Sequence, residues 1–439
     1  MTTNRTTENP KTFSSLNLGQ LDDSMLNGQI VTSLLEDDFY KFSMGQVLFD
    51  HPEYGNEIMV WRFKCRTKIA LGEYITEADF MNEYHHVTKL RATKTELHYL
   101  RGTNEYDVRM FTEEYLEHLA NLQVPPATFH VTPDNHIEIE VAGPWSHVMH
   151  AEMPILKIIN TLFYRSQLKN MSRIQREAIY AEGIKRLHGT IQQIKEHPHV
   201  KFSDFGNRRA FGPVWHDYVV ARCAEELGDQ FIGTSNVALA SKYDLSPIGT
   251  CAHELSMGIT ALMFDGTGQS VKDSLNRLHE IWWNKYGQGL SISLPDTYGT
   301  TFTLDLMTEQ MLRDWKGFRI DSKDPMVAIP ELIEKYTALG IDPKTKMAIP
   351  SDGLTVESMI AIADTFQGQM KVSFGIGTNL TNNMGLKQLS IVVKPYSLGG
   401  KYCVKLSDNL EKAMGEPETV AAYKKALGYH ETYDKETIV

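Results

Sequence analysis

From about residue 200 onward, short β-like runs alternate with amphipathic helical stretches, and nearly every run ends in a cluster of small, polar or charged residues. Strands that alternate with helices are joined by crossovers, so the pattern predicts a parallel sheet. The runs end near Gly233, Gly249, Leu294, Ile320, Pro350 and Phe374. Roughly seven such units fit a closed βα barrel better than a two-sided open sheet. The helix predicted from Pro213 to Leu227 carries Trp215, Tyr218, Val219 and Cys223 on one stripe, with Pro213 in its first turn and Gly228 past its end.

The first 150 residues have a different texture. Thr128–Val141 reads as two alternating runs around the turn Pro133-Asp134-Asn135. A long helical run follows over about Glu152–Lys195. The end of the chain predicts a hairpin around Gly399-Gly400 and a helix from Glu416 to Leu427. Residues 1–29 are rich in Thr, Asn, Ser and Asp, lack an apolar run, and read as a loose polar arm rather than a secretory signal.

Charge narrows the partners. The chain has 44 basic and 55 acidic residues, a net charge of −11, which disfavours a nucleic-acid backbone as partner. No window has the ~18 uninterrupted apolar residues of a membrane span. Cys65, Cys223, Cys251 and Cys403 are scattered without a disulfide-framework spacing, which points to a reducing, cytoplasmic compartment.

In a βα barrel the loops after the strands build the active site. Seven polar clusters at strand ends therefore converge on one expected pocket: 204–209, 233–236, 249–254, 295–297, 319–324, 351–353 and 374–378. Their chemistry suits phosphate. Gly375, Gly377 and Thr378, and Ser351, Asp352 and Gly353, let backbone N–H groups approach an anion. Arg208, Arg209 and Arg319 offer planar bidentate donors. Asp296, Asp321 and Asp352 are candidate Mg²⁺ ligands alongside substrate phosphates. Taken singly, each has an ordinary explanation as a loop turn, a surface pair or a structural histidine. Their co-occurrence at successive strand ends is the signal. His197-Pro198-His199 has a metal-ligand spacing but precedes a β-like run, and reads as a surface loop. His85-His86 reads as a polar helical pair.

The motifs Ser203-Asp204-Phe205-Gly206-Asn207-Arg208-Arg209, Gly233-Thr234-Ser235-Asn236 and Gly249-Thr250-x-Ala252-His253-Glu254 resemble the nicotinate phosphoribosyltransferase family. Leu35-x-x-Asp38-x-Tyr40-Lys41, Gly143-Pro144-Trp145, Asp321-Ser322-x-Asp324-Pro325, Phe374-Gly375-Ile376-Gly377-Thr378 and Lys405-Leu406-Ser407-Asp408 extend the match in the same order. The resemblance implies an α/β chain with an irregular, TIM-like βα barrel over 151–394. Beside it would stand a β-rich α+β domain built from 30–150 and 395–439. It implies condensation of nicotinate with 5-phosphoribosyl pyrophosphate to nicotinate mononucleotide and pyrophosphate in NAD salvage, by an ATP-coupled, ligase-class enzyme using Mg²⁺. Tyr40 and Phe205 resemble the pair that sandwiches the pyridine ring, with Tyr40 donated by the partner subunit in dimeric relatives; a head-to-tail homodimer follows. Arg319 resembles the cation on the ring and carboxylate side. Arg208 resembles a phosphate ligand, and Gly353, Gly375, Gly377 and Thr378 the 5′-phosphate cradle. Asp296 and Asp321 resemble the carboxylates near ribose and Mg²⁺. His253 resembles a histidine that ATP phosphorylates transiently. Ser235 stands where nicotinamide-using relatives carry Asp, and a neutral side chain there favours nicotinate. Lys323 and Ile320 depart from the family pattern.

Three other readings remain open from the sequence. One is a nicotinamide phosphoribosyltransferase. Another is a metal-dependent hydrolase supported by the H-x-H. The third is a silent nucleotide-binding relative.

Overall fold

Fifteen strands are described in a computed structural model that covers residues 17–409 and 412–429. They are β1 Ile58–Cys65, β2 Asn104–Glu105, β3 Val108–Arg109, β4 Ala127–Val131, β5 Ile137–Pro144, β6 Phe202–Asp204, β7 Phe231–Thr234 and β8 Ser246–Pro247, followed by β9 Ile292–Ser293, β10 Gly317–Ile320, β11 Met347–Pro350, β12 Lys371–Val372, β13 Phe374–Ile376, β14 Ile391–Leu398 and β15 Lys401–Tyr402.

The alternation after residue 200 folds as it reads. β13-β6-β7-β8 and β12-β11-β10-β9 are two four-stranded sheets whose ladders are all parallel. The expected closed ring is not formed by hydrogen bonds: among the described residues no ladder joins the two sheets. Strands only two to four residues long give each ladder few bonds, so closure by pairing is weakly enforced. Pro213–Leu227 is helical as predicted, and Gly228 takes φ +49° just past it.

A third sheet, β15-β14-β1-β5-β4, is antiparallel and draws its strands from both ends of the chain. Its pleat follows the sequence: Met59, Trp61 and Phe63 point into the core while Ile58 and Arg62 face out. The predicted hairpin turn lies between β4 and β5, with Asn135 in the left-handed region at φ +60°. Gly399 and Gly400, both at positive φ, turn β14 into β15. The expected domain boundary at 394/395 falls inside β14, because the strand runs unbroken from Ile391 to Leu398.

Two expectations are corrected. The predicted 152–195 helix is two helices, Glu152–Lys169 and Arg173–Lys195, separated where Ser172 caps the second through a capping box with Gln175. Of the polar arm, residues 1–16 lie outside the described residues, but Leu18–Asn27 is a docked helix with Leu21 and Met25 fully buried. Arg165 donates to the carbonyls of Met25 and Gly28, and Asp22 accepts from Arg176 and Tyr180. Only two of its ten residues are buried, with Leu18 and Leu26 packed partly exposed against the core, a short apolar stripe within a polar stretch. Met25 fills the space above Gly212. Met25→Ala is therefore expected to lower stability by about 2–5 kcal/mol, read by chemical denaturation.

Candidate active site

The C-terminal ends of both parallel sheets and the edge of the antiparallel sheet face one cavity of about 300 Å³. Phe205 leaves the end of β6, its N–H donating to the Ile376 carbonyl at 2.8 Å. Its ring lies over Gly375, where a Cβ would come within 2.3 Å of it. Gly375 thus makes room for the aromatic ring and does not itself line the cavity, contrary to its expected place in the phosphate cradle. Ser351, Asp352, Gly353, Gly377 and Thr378 do line it.

Tyr40 begins the helix Phe39–Asp50 and lines the cavity of its own chain together with Phe205. The segment before it is pinned to the end of β7. Phe39 N–H donates to the Ser235 carbonyl at 2.8 Å, and Val237 N–H to the Asp37 carbonyl at 3.2 Å. Gly249 permits the approach, since a Cβ there would lie 2.9 Å from Tyr40 N. The ring that the resemblance took from a partner subunit thus stands on the cavity wall of its own chain.

Ser235 lines the cavity, but the wall beside it is not free of carboxylate. Its Oγ donates to Asp38 Oδ1 at 2.8 Å, and Asn207 Nδ2 donates to the same oxygen at 3.0 Å. Burial, then the neighbouring Asp37, pushes the Asp38 carboxyl up to about 6.

His253 opens the helix His253–Met263. Its Nε2 lies 2.6 Å from Asp296 Oδ1 and 2.9 Å from Lys405 Nζ. The nitrogen accepts from the ammonium when bare and donates to the carboxylate when protonated. Burial and Lys405 lower the imidazole's proton affinity and Asp296 opposes them; the balance is downward. Asp296, 1 % exposed, also accepts from Lys405 at 2.9 Å and stands behind His253 rather than on the cavity wall. Burial would raise its carboxyl, but His253 and Lys405 hold it well below the usual range.

Arg319 donates to Ser351 Oγ at 2.8 Å and to Asp321 Oδ1 at 2.9 Å. Its guanidinium is 5.6 Å from the Phe205 ring centre. Among the described residues Asp321 Oδ2 has only the longer approach of His253 at 3.8 Å. Arg208 reaches the cavity with its Nη1 3.8 Å from Glu152. Lys323, one of the two departures, pairs with Glu331 at 2.5 Å, and neither it nor Ile320 lines the cavity.

Arg66, Lys394, Lys412 and Glu152 line the cavity but were not singled out from the sequence. With Arg208, Arg209, Arg319 and Lys405, the three added cations face five carboxylates: Asp38, Glu152, Glu254, Asp321 and Asp352. A chain of net charge −11 therefore carries a locally positive wall. Burial, with Arg208 and Arg66 next, lowers Arg209 to about 9. Burial, with Arg66 and Lys405 next, carries Lys394 well below the usual lysine range. Cations crowded enough to weaken one another are stabilised by a bound polyanion. A signal for Lys394 was present: it is a charge inside the apolar run of β14.

An aromatic slot, a polycationic wall and a buried histidine–carboxylate pair at the ends of parallel strands define an α/β enzyme of phosphorylated small molecules. Comparison with known proteins makes this specific. The Nicotinate phosphoribosyltransferase (NAPRTase) family matches residues 200–431, and its N-terminal domain matches residues 35–160. A nicotinate phosphoribosyltransferase of Burkholderia cenocepacia (strain HI2424) is 34% identical over 416 residues, covering 93% of this chain and 99% of the relative. One from Burkholderia orbicola (strain MC0-3) is 35% identical over 402 residues, covering 90% and 96%. The solved nicotinate phosphoribosyltransferase of Porphyromonas gingivalis is 29% identical with a TM-score of 0.80, covering 91% of this chain and 100% of that one. That of Vibrio cholerae is 26% identical with a TM-score of 0.82, covering 93% and 96%. The chain belongs to the nicotinate phosphoribosyltransferase family.

Proposed function

We propose that this chain joins nicotinate to 5-phosphoribosyl pyrophosphate, giving nicotinate mononucleotide and pyrophosphate, with ATP hydrolysis coupled through transient phosphorylation of His253. The observation that carries the reading is the meeting of Tyr40 and Phe205 with the cationic wall in one cavity. The pair would stack on the pyridine ring, worth ~0.5–1.5 kcal/mol per contact beyond area burial. Arg208, Thr378 and Gly377 would hold phosphate, and Arg319 would face the base. The glycosidic transfer passes through a cationic ribosyl state. Positioning of base and sugar, and stabilisation of departing pyrophosphate by the cations, supply the acceleration without a general base.

Mg²⁺ fits this donor set in part. Among the described residues Asp321 Oδ2 makes no hydrogen bond and could take a cation, whereas both oxygens of Asp296 are engaged by His253 and Lys405. Asp321 with substrate phosphates would hold the ion, whose chemistry is charge neutralisation on pyrophosphate. Asp352 is paired with Lys412 at 2.6 Å.

The two parallel sheets are read as walls of one irregular barrel, because both send their strand ends to the same cavity. Among the described residues no helix is long and apolar enough to cross a membrane, and the four cysteines are free. A reducing, cytoplasmic setting is consistent with those thiols. With Tyr40 supplied by the same chain, the proposed reaction does not depend on a head-to-tail dimer.

Nicotinamide as the base has one supporting observation: the Asp38 carboxyl beside Ser235 could accept from an amide. Competing labelled nicotinate against nicotinamide, with and without ATP, decides the matter. Preferential formation of nicotinate mononucleotide, stimulated by ATP, is expected. Preferential use of nicotinamide refutes the base assignment.

A further inference from the structure

The H-x-H left as a surface loop acquires a third ligand-type group in the fold. Asp364 lies near the C-terminal end of the helix Val356–Phe366. Its Oδ1 is 2.7 Å from His199 Nε2 and 3.9 Å from His197 Nδ1. The ligand atoms of all three residues lie within 4.8 Å of one another. Around one tetrahedral ion with Zn–N and Zn–O bonds of about 2.0–2.2 Å the ligand atoms stand roughly 3.3–3.5 Å apart, so the His199–Asp364 contact would lengthen and the His197–Asp364 approach shorten, each by about half an ångström.

The backbone that carries the two histidines is held in place. Pro198 restricts φ between them. Val200 N–H donates to the His197 carbonyl at 2.9 Å, turning the chain so that both rings face the helix end. Gln230 Nε2 donates to the carbonyls of Ile194 at 2.8 Å and His197 at 3.0 Å. Those bonds order the loop without using either imidazole. The His197 ring makes no hydrogen bond among the described residues, its approach to Asp364 being too long for one. The His197 ring stands edge-on to His199, centroids 6.0 Å apart, which keeps the third group beside the hydrogen-bonded His199–Asp364 pair while leaving both its nitrogens unbonded among the described residues.

The side chains of His197, His199 and Asp364 are 32%, 26% and 52% exposed, so water can complete a coordination shell and an ion can enter from solvent. Two imidazoles and a carboxylate suit Zn²⁺ and its neighbours in the divalent series, not Mg²⁺, which prefers oxygen ligands. His199 precedes β6 and Asp364 precedes β12. The cluster therefore lies at the N-terminal ends of parallel strands, the opposite end from the cavity. We propose that His197, His199 and Asp364 form a zinc-class divalent-metal site that ties the loop before β6 to the helix before β12, apart from the reaction.

The test is calorimetric titration with Zn²⁺ of the full-length parent, His197→Ala and Asp364→Asn; all three keep the other candidate ligand group, His253, Asp296 and Asp321 at the cavity, so zinc bound there is common to them. One Zn²⁺ per chain beyond that common binding is expected in the parent, its affinity falling at least about tenfold in both variants. His197→Ala removes a ring that makes no hydrogen bond, so folding is expected to survive. The melting temperature of the parent should rise with Zn²⁺ and that of His197→Ala should not. Turnover without added zinc is expected to match the parent in both variants. Equal zinc affinity in parent and variants, or no stoichiometric binding at about 100 µM Zn²⁺, overturns the proposal.

Discussion

His253→Ala is expected to abolish ATP stimulation of mononucleotide formation while leaving slow ATP-independent transfer. The imidazole is a nucleophile on the cavity wall whose orientation is fixed from behind: Asp296 and Lys405 meet Nε2 at 2.6 and 2.9 Å. Burial and Lys405 keep the ring neutral below the ordinary histidine range, and a neutral imidazole is the nucleophilic form. Removing a positioned group of this kind costs roughly 10²–10⁴-fold, so the ATP-stimulated component should disappear into the basal rate. The same shift fixes the pH sign. Protonation, which quenches the nucleophile, sets in only as pH falls below the usual histidine value, so ATP coupling should persist into mildly acidic solution. Trapping of acid-labile radioactivity from γ-labelled ATP in the parent and not in His253→Ala is the direct readout. Full ATP coupling in the variant would remove His253 from the mechanism.

Ser235→Asp should depress nicotinate use while sparing the affinity for phosphoribosyl pyrophosphate. Ser235 Oγ sits 2.8 Å from Asp38 Oδ1, so the new carboxyl would stand against one that already resists ionisation at about 6. Either both ionise and repel nicotinate, or one holds a proton and the wall shifts with pH. At an effective dielectric near 20, two unit charges 4 Å apart cost about 4 kcal/mol, so a fall in kcat/KM for nicotinate of roughly 10²–10³-fold is the expected scale. Parallel KM measurements for both substrates check it. An unchanged nicotinate KM would show that this wall does not face the carboxylate.

The two predictions differ in how much of their basis could be read in advance. His253 was legible through the resemblance of its motif, Gly249-Thr250-x-Ala252-His253-Glu254, to the family; taken singly it had an ordinary explanation as a structural histidine. Asp38 stood in a quoted motif, but its carboxyl gains meaning only from Ser235 and Asn207, brought to it by pairing of residues 37–39 with the end of β7. Lys394 lies on β14 and Arg66 directly follows β1, paired strands more than 300 residues apart in the chain, and nothing local to Arg66 announces that it faces the cavity. Gly375 was misread for a related reason. A glycine next to a phosphate and a glycine under an aromatic ring look alike until the ring is seen. The helix Leu18–Asn27 escaped notice because its apolar stripe is short and its polar anchors, Arg165, Arg176 and Tyr180, lie more than 130 residues away.

Local periodicity, which depends only on near neighbours, determined the strand–helix alternation after residue 200, the β4–β5 hairpin and the polar clusters at strand ends. Tertiary structure alone decided that the parallel strands form two sheets, that Tyr40 reaches its own chain's cavity, and that Asp364 meets His197 and His199. The division has one physical cause. Hydrophobic period and turn chemistry are set within a few residues, whereas ladder closure, charge crowding and ligand convergence depend on which distant surfaces the core brings together.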